Sequence, residues 1–308
     1  MGMWTEYSGK GPRRLAAAVL LTAVGLTGCG KQQPAPSEAA QPSAVTAPVA
    51  AVPAPVGTPA ALPPPPNDAR HQPFDKATRR ADNPPEECSR PPDTTVSGKP
   101  VFKLYNEVVR LWDTVRFVTP DGKRVAYSAT VETDLGEVEI ELHPEWAPNH
   151  VRNFVALARA GYYDGLFFDR VRHEESEDEA AKPLETVEAG CPLGTGDPGS
   201  GSIGYWLNPE SPEGDAKPTH EEGTVGACRG AEPDTAACRF YITLCKAPYL
   251  DGNYTVFGKV TRGLDVARKI HLRPVIVDDQ DADGNRRPEK PVRIKKVTIH
   301  TQETEAPH

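Results

Sequence analysis

From Asp121-Gly122 onward, apolar residues recur at every second position. Val125, Tyr127, Ala129 and Val131 alternate with more polar neighbours, and Val138, Ile140 and Leu142 repeat the pattern past Gly136. A strand sends successive side chains to opposite faces, so this spacing commits the chain to antiparallel strands with one face buried. Further short apolar runs at 202–207, 223–228, 240–244, 256–260 and 292–300 sit between glycine-rich turns. Many short strands must protect their edges, and a small closed β-barrel does so.

Helical spacing interrupts the strands. Pro148 opens a pattern with Val151, Phe154, Val155 and Ala158 on one face, closed by Gly161, and a shorter helix is expected over 263–270. Ahead of the strands, Leu104, Val108, Leu111, Trp112, Val115 and Val118 recur three and four apart. They predict an amphipathic helix over 101–118, within a segment 96–120 that packs on the barrel through Trp112. The main domain is expected over 121–302, with a tail at 303–308.

The N-terminal third is different in kind. Much of the chain's complement of 33 prolines lies there, and residues 31–66 consist largely of Pro, Ala, Val, Ser and Gln, including Pro63-Pro64-Pro65-Pro66. The expectation is a disordered Pro/Ala-rich linker over 29–95, read as an extended spacer or as a ligand for a proline-binding partner. Lys10, Arg13 and Arg14 precede an apolar stretch of twelve residues, Leu15 to Leu26. That stretch is too short to span a bilayer, and residues 1–28 read as a signal peptide. Leu26-Thr27-Gly28-Cys29 resembles the bacterial lipobox, which implies a lipid anchor on Cys29; an ordinary cleaved signal is the other reading. Gly30, with no aspartate after the cysteine, resembles outer-membrane sorting, so a periplasm-facing lipoprotein of the cell envelope is expected. The formal charge of −8 and the lack of a basic cluster argue against nucleic acid. A monomer is expected.

The order of segments resembles the cyclophilin family over about residues 124–301. TDLGEVEIELHPEWAPNHVRNFVALARAGYYDGLFFDRV is followed by GTGDPGSGSIGYWLNPE, GACRGAEPDTAACRFYITL and APYLDGNYTVFGKVTRGLDVARKI at close to the family's spacing. The resemblance implies an eight-stranded antiparallel barrel capped by two α-helices, and peptidyl-prolyl cis-trans isomerisation of X-Pro segments without a cofactor. That reaction has a barrier of roughly 20 kcal/mol because the amide C–N bond is partly double. As the bond twists, the prolyl nitrogen gains a lone pair, which a fixed cationic donor stabilises more than the planar ground state. Arg170, in Phe168-Asp169-Arg170-Val171, occupies the place of the family's catalytic arginine.

For the proline pocket, the resemblance assigns Tyr241 and Leu250 as walls, with Phe240, Tyr249 and Tyr254 in the aromatic positions beside them. It also exposes a departure. The family's Phe-Met-x-Gln-Gly-Gly-Asp run corresponds to Glu185-Thr186-Val187-Glu188-Ala189-Gly190-Cys191, and a second glutamine becomes Arg239. A neutral site has become a charged one. Either Glu188 pins Arg170, or Arg239 takes Glu188 and leaves Arg170 free for substrate. An acidic insertion, HEESEDEAAK from His173, adds either a partner-recruiting rim or a plain solvated loop, and Leu184 after it could restore pocket lining.

Cys88, Cys191, Cys228, Cys238 and Cys245 would fold in an oxidising compartment, where disulfides are expected; Cys228 with Cys238 could close one loop. No C-x-x-C pair occurs and His173 and His220 lack ligand spacing, so no metal site is expected. Two functions follow: an isomerase assisting the folding of exported proteins, or a weakened cyclophilin-like module that binds peptides or proteins. They differ in whether Arg170 faces an open cleft or is locked in an ion pair.

Overall fold

The structure, a computed structural model, describes residues 72–80, 85, 90–173, 184–197, 201–212, 217–276 and 285–304. All of them belong to the unit Thr58–His308. The signal sequence, Cys29, most of the linker, Cys88 and residues 174–183 of the acidic insertion lie outside them.

The chain begins with α1 (Phe74–Ala77), β1 (Thr78–Arg80) and α2 (Val101–Trp112). The two alternating runs form β2 (Arg124–Thr133) and β3 (Gly136–Leu142), a hairpin in register from Thr133 opposite Gly136 to Tyr127 opposite Leu142. After α3 (Pro148–Arg159) come β4 (Phe167–His173), β5 (Glu185–Ala189), β6 (Tyr205–Leu207), β7 (Thr224–Ala227), β8 (Phe240–Thr243) and β9 (Val256–Arg262). The remainder is α4 (Leu264–His271), β10 (Val275–Ile276), β11 (Asn285–Pro288) and β12 (Val292–Thr304).

The strands close on themselves in the order β4-β12-β2-β3-β9-β7-β8-β5, with β5 returning to β4: an eight-stranded antiparallel barrel. The expected fold class is therefore the one observed. Inward residues fill the barrel, as strand alternation requires; Val131, Val138, Ile140, Val187, Val225 and Ile242 are fully buried. The helix α3 is almost wholly buried because it is wedged between the barrel and α2, while α4 packs on β3, β4 and β5.

Four expectations need correction. The helix expected to run to Val118 ends at Trp112, where Thr114 turns back to donate through both N and Oγ1 to Leu111 O. Val115 keeps the helical spacing but is buried within the turn. The run 202–207 is not a barrel strand; β6 pairs instead with β1, outside the ring. Residues 72–80, assigned by sequence to a disordered linker, are folded, with Phe74 and Ala77 buried. Finally, β12 runs past the expected boundary at 302 as far as Thr304.

An aromatic cluster explains why the N-terminal segment stays down. Phe74 meets the edges of Tyr105, Trp112 and Tyr205 at 5.9, 5.2 and 5.0 Å, and Trp112 Nε1 donates to Gln72 O at 3.0 Å. On its other side, Trp112 carries the guanidinium of the fully buried Arg152, 5.7 Å from the ring centroid. Trp112 thus docks α2 on α3, where packing on the barrel was expected, and also clamps α1.

Candidate active site

Ladder register builds the site. Arg170 on β4 lies opposite Glu188 on β5, Glu188 lies opposite Tyr241 on β8, and Tyr241 lies opposite Gly226 on β7. The four form one row across four strands, on the face opposite the inward Val171, Val187, Ile242 and Val225. Two-residue alternation adds Thr186 and Arg239 to that face. Gly226 is required: a Cβ there would lie 2.3 Å from the Tyr241 ring, which crosses its backbone. A cleft open to solvent runs over Arg170, Glu188 and Tyr241 of this row; Leu184, Leu250 and Tyr254 also line it.

A β-bulge at Asp169, between Phe168 and Arg170, turns the Asp169 carboxylate inward. Asp169 is fully buried; its Oδ2 accepts from Cys191 N at 3.3 Å, and Oδ1 lies 3.8 Å from Arg239 Nη2. Arg239 makes its short contact elsewhere, 2.8 Å to Glu188 Oε2, an oxygen also approached by Cys228 Sγ at 3.6 Å and Arg170 Nη1 at 3.8 Å. Two carboxylates therefore share one buried guanidinium. Burial, reinforced by the Glu188 charge and opposed by Arg239, lifts Asp169 from 3.8 to about 7. Arg239 stays protonated, since its anionic neighbours outweigh the burial that works against its charge.

Of the alternatives left open by sequence, Arg239 is thus the closer partner of Glu188. Arg170 keeps a long hydrogen bond to Gly196 O at 3.4 Å, and its side chain faces the cleft at 16% exposure.

The opposite wall is held by a hydrogen-bonded chain. Tyr241 Oη lies 2.7 Å from His220 Nε2, and His220 Nδ1 lies 2.7 Å from Asp251 Oδ1. Burial lowers the His220 pKa against the pull of Asp251, and burial raises that of Tyr241. A neutral imidazole therefore donates to Asp251 and accepts from the tyrosine hydroxyl. Tyr254 packs edge-on against Tyr241 at 6.1 Å, and Arg229 covers its ring at 4.3 Å.

Two sequence-assigned residues are not at the cleft. Phe240 faces the barrel interior, 1% exposed, against Phe154, Tyr163 and Phe168. Neighbours in a strand point to opposite faces, so Phe240 and Tyr241 cannot both line it. Tyr249 is 46% exposed on the short turn Pro248–Leu250 and leaves only Leu250 at the cleft. Nor do Cys228 and Cys238 form a disulfide: Cys191, Cys228 and Cys238 are buried thiols, and Cys245 Sγ accepts from Glu185 N at 3.3 Å. The cleft also includes Thr186, Arg172, Cys228 and Arg229, none of which was given a site role from sequence. Alternation counted outward from Arg170 and Tyr241 finds Arg172 and Arg239; Asp251 and His220 carry no local signal.

The family model described as "Cyclophilin type peptidyl-prolyl cis-trans isomerase/CLD" matches residues 128–299. A peptidyl-prolyl cis-trans isomerase of Schizosaccharomyces pombe is 34% identical over 168 residues, covering 54% of this chain and 95% of its own. Peptidyl-prolyl cis-trans isomerase B of Bacillus subtilis is 40% identical over 137 residues, 44% of this chain and 85% of that one. A crystal structure of a Cryptosporidium parvum cyclophilin type isomerase aligns with a TM-score of 0.45 at 26% identity, covering 57% of this chain and 99% of that one.

Proposed function

The chain belongs to the cyclophilin type peptidyl-prolyl cis-trans isomerase family and is such an isomerase, and from that premise we propose that Arg170 is its catalytic group, acting on X-Pro segments of exported polypeptides in the cell envelope. The observation that carries the assignment is the division of labour at Glu188: Arg239 holds the carboxylate at 2.8 Å, while Arg170, 3.8 Å away, faces the open cleft.

In this reading the proline ring lies against Tyr241, Leu250 and Tyr254, and the guanidinium of Arg170 donates toward the prolyl nitrogen as it pyramidalises. The donor is already in place and always charged, so little reorganisation accompanies the twist. No bond is made or broken, and the residues present are sufficient. The leader-like residues 1–28 and Cys29 support export and lipid anchoring in the same reading.

A second reading, a partner-binding module with slow turnover, draws on one observation. Thr186 lines the cleft where the family resemblance implies methionine, so one wall is less apolar than expected.

A proline-limited isomerisation assay on the full chain separates the two. Arg170→Ala is expected to lower kcat/KM about 100-fold, with peptide binding, followed by NMR titration, changed only a few-fold. Full activity in the variant would remove Arg170 from the mechanism. Binding without turnover in the wild type would favour the second reading.

A further inference from the structure

Among the described residues, the lining of the cleft carries charge of the opposite sign to that of the whole chain. Whereas the whole sequence carries −8, the described residues lining the cleft include Arg170, Arg229 and Arg239 and one carboxylate, Glu188. Arg239 takes that carboxylate. Arg229 is held differently: its Nη1 donates to Gly230 O and Ala231 O at 2.8 Å each, its Nε donates to Asn253 O at 3.0 Å, and its guanidinium carbon lies over the Tyr254 ring, 4.3 Å from the centroid. Backbone carbonyls fix its position without cancelling its charge, and no carboxylate among the described residues pairs with it.

Fixed cations gathered in a cleft with apolar walls focus a positive potential there. Their mutual repulsion is relieved when an anion enters, and a guanidinium already oriented loses little rotamer freedom on binding. We propose that the cleft selects X-Pro segments with a carboxylate side chain next to the proline, and that Arg229 is a specificity-determining residue contacting that carboxylate. The inference rests on the isomerase reading of the cleft and names the substrate class within it.

The test uses the full chain and two sets of tetrapeptides: Ala-Glu-Pro-Phe, Ala-Gln-Pro-Phe and Ala-Lys-Pro-Phe, and the corresponding set with the variable residue after proline. Turnover by exchange NMR and binding by titration are measured for each. In at least one set, Glu is expected to exceed Gln by about tenfold in kcat/KM and in affinity, with Lys weakest. The preference should shrink several-fold in 0.5 M salt and fall to about twofold in Arg229→Gln, as expected of screened ionic contacts. Equal binding of all three residues in both sets would overturn the proposal, as would a Glu preference that Arg229→Gln leaves intact. If no peptide is turned over, the isomerase reading fails, and the order of affinities still decides this inference.

Discussion

Asp169 and Glu188 compete for one guanidinium, and the geometry gives Glu188 the short contact. Asp169 therefore sits buried with its pKa raised to about 7 by desolvation. Because its folded-state pKa lies above the unfolded value of about 3.9, folding takes up a proton between the two. Its contribution to stability is thus fully present below about pH 4 and lost as pH rises through about 7. Chemical denaturation of the wild type and Asp169→Asn at pH 5 and pH 8 should show the wild type losing stability relative to the variant at the higher pH; a constant difference would refute the assignment. Gly226 offers a second test. Gly226→Ala forces Tyr241 off its position, and the expected cost is about 1–3 kcal/mol together with a clear loss of kcat/KM. At this scale the sequence was only partly legible. The order of motifs located Arg170, Glu188 and Tyr241, whereas the closeness of Gly226 to the Tyr241 ring and the His220–Asp251 chain exist only once distant strands meet.

Elements whose burial follows their own period were legible; those completed by a distant partner were not. The hairpin β2–β3 and the helix α3 fall where alternation and helical spacing place them. The pairing of β6 with β1 has no such basis, since Thr78-Arg79-Arg80 carries no apolar pattern and becomes a strand only against Tyr205–Leu207. What holds it is next door: Phe74 in its aromatic cluster, and Thr78 Oγ1 donating to Phe74 O at 2.7 Å. Phe74→Ala should therefore destabilise by about 3–5 kcal/mol if the segment unfolds with the domain, or by less if it peels away alone. Hydrogen exchange at Arg79 and Trp206, which face each other in that ladder, distinguishes the outcomes. Unchanged protection and unchanged stability would mean that the cluster does not anchor the segment.

For the molecule as a whole, the run of short strands pointed to a closed barrel but gave neither the number of strands nor their order of pairing; the number, eight, came with the family resemblance and matches the ring observed. What the folded unit does not determine is where it acts. The proposal of a lipid-anchored envelope protein rests on the N-terminal residues, and it separates cleanly from catalysis because Cys29 lies far in sequence from every residue of the cleft. Stable attachment needs more than one acyl chain, since a single chain gives only weak, reversible binding. Expressed in a bacterium with an outer membrane, the wild type should incorporate labelled palmitate and sediment with membranes, while Cys29→Ser should lose the label and move to the soluble or processing-arrested fraction. Isomerase activity of the purified variant should equal that of the wild type in detergent. A wild type that is exported but carries no label would leave an ordinary cleaved signal as the reading of residues 1–28, and one retained in the cytoplasm would remove exported polypeptides as the substrates while leaving the chemistry at Arg170 untouched.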